Sequence, residues 1–188
     1  MCPQAGAYGK AEVDAAIATH KAVEAAHHTQ YTDAEAIAAA KTDATLLNYT
    51  EGARVYHSFF QTIPDTTYTV IAFDSERYDT DAIHDPATNN SRLTCKTPGK
   101  YLIIATIEFL EEIYGHRIML LMLNGAIPVS SLVLAQNVLG GWVGCNATIY
   151  DLVVDDYVEV WVYQDAGRAL EVAAHANSSP EFMMQRIG

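Results

Sequence analysis

Positive charge is scarce in this chain: 11 Lys and Arg stand against 23 Asp and Glu, a formal net charge of −12. That balance excludes nucleic acid as a partner, because phosphate binding relies on Lys and Arg to displace counterions. Anionic membrane surfaces are disfavoured on the same ground. Cysteine is scarcer still. Cys2, Cys95 and Cys145 have no metal-ligand spacing and cannot all pair, which leaves a Cys95–Cys145 disulfide or buried free thiols. No run approaches the ~20 apolar residues of a membrane span, so no membrane insertion is expected. The opening "MCPQAGAYGKAEVD" has neither a basic nor an apolar segment, and no secretory signal is visible in it. Without one, the sequons at Asn48, Asn89, Asn146 and Asn177 carry little meaning.

Catalytic signatures are missing as well. No nucleophile elbow, P-loop, zinc-protease helix or dinucleotide fingerprint occurs. His57, His84, His116 and His175 are scattered, and the pairs Glu111-Glu112 and Asp155-Asp156 fall at strand ends, where solvated turns are the default. No enzyme is expected.

What is present divides into two regions with different periods. Half the residues are hydrophobic, ample for a core. From Lys10 to about Leu47 the chain is rich in Ala, Glu, Asp and Lys, without Gly or Pro, which favours helix. "YGKAEVDAAIATHK" overlays "YTDAEAIAAAKTDA" 23 residues later, a two-copy repeat. Thr32 and Glu35 form a capping box for the second copy, so "HHTQY" reads as a break between two helices. Val13, Ile17, His20, Glu24 and His27 make one narrow stripe, and Ile37, Ala40, Ala44 and Leu47 another. Stripes this narrow cannot hold a short helix alone in water. They suit a weak coiled coil or a neighbouring chain, which makes Val13, Ile17, Ile37 and Leu47 candidate oligomer contacts. His20, Glu24, His27 and His28 share spacings a metal could use; polar layers that set register use the same spacings.

Beyond "NYTEGARVYH" the period falls to two. "ARVYHSFF", "TYTVIAF", "GKYLIIATIEFL", "HRIMLLML", "AIPVSSLVLA", "WVGCNATIYDLV", "DYVEVWVYQ", "RALEVAAH" and "EFMMQRI" read as short strands, and Asn124-Gly125 as a tight hairpin. With no helix interleaved, the class is an antiparallel sandwich or barrel. "HRIMLLML" is apolar on both faces. In "DYVEVWVYQ", Val158, Val160 and Val162 serve the core, turning Tyr157, Trp161 and Tyr163 outward beside Glu159. Exposed aromatics of this kind mark an interface, so these three are candidate subunit contacts.

The stretch "RYDTDAIHDPATNN" concentrates Asp79, Asp81 and Asp85. An EF-hand loop begun at Asp79 fails, because its fifth, sixth and twelfth positions are Ile83, His84 and Asn90. A looser calcium site on the three aspartates remains open beside ordinary turn chemistry, in which Asx side chains bond local backbone.

The order of motifs resembles the globular head of complement subcomponent q. Phe73-Asp74, Tyr78-Asp79, the short strand from Arg92 to Cys95, Gly99 with Tyr101, the Asn124-Gly125 hairpin, "LVVDDYVEVWVYQ" and "SSPEFMMQRIG" follow that family's sequence of signals from about Arg54 to Gly188. Asp155 replaces the family's Gly before Asp156, a place an αL-tolerant residue can fill. The family's collagen stalk is replaced by the Ala-rich helices. Prokaryotic and bacteriophage versions are the most similar, through "DTD-x-x-HDP" and the helical "YTDAEA". The resemblance implies a ten-strand, tumour-necrosis-factor-like jelly roll on residues 51–188, carried by a helical stalk or attachment segment on residues 1–50. It further implies a homotrimer: the head of a bacteriophage virion surface or tail fibre, assembled in the host cytoplasm. The stalk would join other proteins of the particle, and the head would meet neighbours, a host receptor or a glycan. An adhesive head on a bacterial cell or spore surface is the second reading, and a jelly-roll enzyme the third. No cofactor is expected beyond the loosely held calcium.

Overall fold

The computed structural model describes residues 9–27, 49–110, 114–135 and 142–188, and within the helix the side chains as far as residue 22. The chain divides into two compact units, residues 1–48 and 49–188.

In the first unit, α1 spans Lys10–His27. Its start is capped reciprocally: the Gly9 carbonyl accepts from the Glu12 and Val13 N–H groups, and Glu12 Oε2 accepts from the Gly9 N–H at 3.0 Å. Lys10 and Asp14 pair one turn apart at 2.7 Å. Val13 and Ile17 are 44% and 49% exposed. The expected break, the Thr32–Glu35 cap, and the contacts Ile37 and Leu47 lie outside the described residues.

The second unit is an antiparallel sandwich. Its twelve described strands are β1 (Gly52–Tyr56), β2 (Gln61–Ile63), β3 (Thr69–Val70), β4 (Ser75–Asp79), β5 (Arg92–Thr94), β6 (Gly99–Phe109), β7 (His116–Leu123), β8 (Ile127–Ala135), β9 (Trp142–Leu152), β10 (Tyr157–Gln164), β11 (Leu170–Val172) and β12 (Glu181–Arg186). One sheet runs β2-β11-β6-β12-β1-β4, with β9 paired to β6 along its full length. The other runs β3-β10-β7-β8, with β5 also on β10. Period-two alternation buries Tyr101, Ile103, Ala105, Ile107 and Phe109 of β6 against Val158, Val160 and Val162 of β10 and Met119 and Leu121 of β7. Phe73–Phe182 and Phe109–Trp142 stack within this core.

The expected strands are present, but side chains trim two of them. "ARVYHSFF" stops pairing at Tyr56 because Asp74 captures the Ser58 N–H and hydroxyl, leaving Phe59 and Phe60 exposed in a turn. Of "TYTVIAF" only Thr69–Val70 pairs in ladder form; the Ile71 and Phe73 N–H groups donate singly to the Val160 and Asn90 carbonyls. Two strands go beyond the ten expected: β2, paired to β11, and β4, paired to β1. Asn124 and Gly125 take φ of 51° and 66°, the left-handed pair a two-residue hairpin turn requires, and Asp155 takes φ 70°.

Candidate functional site

The aspartate-rich loop connects β4 to β5. The Asp79 carboxylate accepts three backbone N–H groups, from Asp81 at 3.1 Å, Ile83 at 3.0 Å and His84 at 2.9 Å. Asp85 Oδ1 accepts from Ala87 and Thr88, and these two bonds hold its carboxyl below the ordinary range. The buried His84 ring ties the loop to β4, with Nδ1 2.9 Å from Glu76 Oε1 and Nε2 3.1 Å from the Asn90 carbonyl. Asp81 keeps a buried Oδ2 without a hydrogen-bond partner. The three aspartates are therefore not brought together as ligands. Two of them are committed to their own turns, and no three His, Cys, Asp or Glu side chains converge among the described residues.

On the outer face of β10, Tyr157, Trp161 and Tyr163 are half-buried by the chain's own side chains. Glu159, only 5% exposed between them, receives Ser91 Oγ, Arg92 Nε and Trp161 Nε1 at 3.0–3.1 Å. The Arg92 guanidinium lies 3.9 Å from the Tyr157 ring centroid, and Tyr68 stacks on Tyr163 at 5.0 Å. This face is largely completed from within.

The outer face of the other sheet differs. Opposite its core-facing residues, β6 presents Leu102, Ile104 and Thr106, in register with Ile149, Ala147 and Cys145 of β9. Met183 of β12 lies across from Ile104. Val143 and Ile149 are 60% and 58% exposed. Next to this apolar field sits a charged knot. Glu181, 2% exposed, accepts Arg54 Nε and Arg77 Nη2, both at 2.8 Å. The neighbouring strand edges β8 and β9 are stitched by Asn146, which donates from Nδ2 to the Met119 carbonyl and accepts from Ser130 Oγ. Buried there, Asn146 cannot serve as a glycan acceptor. On β8, Val133 and Leu134 are exposed beside that edge.

This face carries no aromatic row like that of β10 to mark it in the sequence. The signal was in the chain: "YLIIATI" is apolar at both parities, as a strand covered on both sides must be.

The four head histidines each turn to a separate carboxylate: His57 to Asp74, His84 to Glu76, His116 to Asp165 and His175 to Glu108. The last three are hydrogen bonds of 2.9 Å, while His57 Nδ1 stays 3.5 Å from Asp74, and the four form no shared constellation among the described residues. Cys95 is buried, its thiol 3.2 Å from the Thr97 carbonyl, whereas Cys145 is exposed on β9; the two are not bonded. Of the two readings the disulfide is not formed, and of the thiols Cys95 is buried while the alternation of β9 turns Cys145 outward.

No protein-family model matches the chain, and no curated protein matches it. Solved structures do. The globular domain of a zebrafish complement 1qA protein is 19% identical, covering 74% of this chain and 98% of its own, with a TM-score of 0.49. Murine APRIL, in a crystal structure at pH 5.0, is 9% identical, covering 72% of this chain and 97% of its own, with a TM-score of 0.54. Identities this low speak to fold alone. Two-sheet antiparallel packing and the likeness to APRIL make residues 49–188 a tumour-necrosis-factor-like jelly roll.

Proposed function

We propose that the chain is a non-enzymatic homotrimeric binding module, the head of a bacteriophage virion surface or tail-fibre component. Residues 1–50 attach it to other proteins of the particle, and residues 51–188 form the head. The observation that carries the reading is the apolar outer field on β6, β9 and β12, half-buried at Leu102, Ile104 and Met183 and open at Val143 and Ile149. A contiguous apolar face on a chain with this much acidic charge calls for a protein neighbour. The field and the apolar β8–β9 edge are different surfaces. A contact of one subunit's edge with the next subunit's face is head-to-tail, and such contacts form a ring where the rotation between subunits closes. Three is the ring size implied by the resemblance of the sequence to complement-q heads. Virion placement rests on the likeness of "DTD-x-x-HDP" and the helical repeat to bacteriophage heads.

Sedimentation velocity of the full chain at micromolar concentration tests the assembly. A single species of three chains is expected, and a stable monomer would overturn the reading. Imaging the parent particle with a label on Gly188 tests the location: density at a fibre tip or on the virion surface is expected, and its absence from particles would count against it.

A further inference from the structure

The loop between β4 and β5 forms one wall of a cleft of about 440 Å³, closed on the other side by Asp155 and Tyr157. We propose that this cleft is a binding site for a carboxylate-bearing sugar. The inference rests on the reading of the head as a binding module and names the ligand class of one of its surfaces.

The wall is fixed before any ligand arrives. Asp79 holds three N–H groups of the loop, His84 is seated between Glu76 and Asn90, and Asp85 caps the turn at Ala87 and Thr88. A site that is already ordered loses little entropy on binding. Two cations line the cleft, Arg92 and Lys96. Arg92 commits Nε to Glu159 and its plane to Tyr157, and no partner for its terminal nitrogens is present among the described residues. Lys96 is exposed and likewise has no partner among them. Elsewhere in the head Arg54, Arg77 and Arg186 are engaged with Glu181 or Glu51. The cleft thus gathers available positive charge in a strongly acidic chain.

The remaining lining selects the ligand. The cleft falls within the size range of small-molecule sites and is far roomier than a bare oxyanion needs. Its other polar residues are His84, Asp85, Thr88, Asn89, Thr94, Asp155 and Tyr157, whose hydroxyl, amide and carboxylate groups suit ligand hydroxyls. Asp85 and Asp155 repel a polyanion. One carboxylate for Arg92 and Lys96, with hydroxyls for the rest, describes an acidic monosaccharide unit.

Calorimetric titration of the full chain with sodium glucuronate, glucose, acetate and inorganic phosphate at physiological ionic strength tests the assignment. Glucuronate is expected to bind saturably and more tightly than each of the others. Lys96→Glu, at an exposed position without a chain partner, should weaken glucuronate about tenfold, the value of one charge-assisted contact. Absent binding, equal binding of glucose, acetate or phosphate, or an unchanged affinity in K96E would overturn the proposal. Sedimentation of the same samples separates the two readings. A trimer that ignores glucuronate defeats this inference alone, and a monomer defeats the assembly while leaving the titration to stand or fall by itself.

Discussion

The two outer faces of the sandwich solve the same problem in opposite ways. On β10, a row of aromatics leaves the core and is met by the chain's own Arg92 and Tyr68, with Glu159 saturated by three donors beneath them. On β6, β9 and β12, apolar residues also leave the core; Leu102, Ile104 and Met183 are half-buried, but Val143 and Ile149 of β9 stay more than half exposed. Aromatic content alone therefore does not separate an open face from one the chain covers itself. A ring has enough area and polarity to recruit cover locally, whereas Leu, Ile and Val offer no hydrogen bond or quadrupole to hold a covering side chain.

Substitutions can break this contrast. Ile149→Asp places a charge in the open face, and an unpaired charge in a desolvated contact costs about 3–5 kcal/mol, more than a hundredfold in association. The expected outcome in sedimentation is a folded monomer. Trp161→Asp is the control on the other face. It should lower the melting temperature, through loss of packing and of the bond to Glu159, while the trimer persists. A monomer from W161D with a trimer from I149D would transfer the interface to β10.

A smaller effect is expected inside the open face. Glu181→Ala leaves Arg54 and Arg77 without their shared carboxylate, and because both arginines are partly exposed the cost falls at the lower end of a broken buried pair, about 3 kcal/mol. Urea denaturation reads it as a lowered midpoint with an unchanged slope.

The smallest effect concerns pH, away from both faces. The Asp165 carboxyl is held below its ordinary range, first by the His116 backbone N–H and then by the His116 side chain. A depressed carboxyl stabilises the fold above its unfolded value, 3.8, and that contribution is lost as pH falls through the folded value. Denaturation midpoints of wild type and Asp165→Asn should therefore converge below about pH 4 and separate above it, with wild type the more stable. A difference that is constant with pH would show that Asp165 acts without its charge.

The strands were legible because period two and turn chemistry are local properties. "HRIMLLML" and "DYVEVWVYQ" pair in register from Ile118↔Tyr163 to Leu123↔Val158, and Asn124-Gly125 turns where its residue types allow. The cation reading of Asp79, Asp81 and Asp85 was not settled in the same way. Spacing brings carboxylates near one another, but only the fold shows that Asp79 spends its oxygens on three N–H groups. Phe59 and Phe60 make the same point, since alternation placed them in a strand and the Asp74 carboxylate removed them.

The sequence by itself determined that this chain has an antiparallel β head after an Ala-rich helical segment, and that it carries a strong excess of acidic charge. Those properties depend on residue types a few positions apart and on total charge. Which face of the sandwich stays open, and which polar groups around the β4–β5 loop remain available, only the tertiary structure decided. Both depend on side chains distant in sequence, such as Arg92 with Glu159 and Ile104 with Met183, and no local pattern encodes whether such a partner arrives.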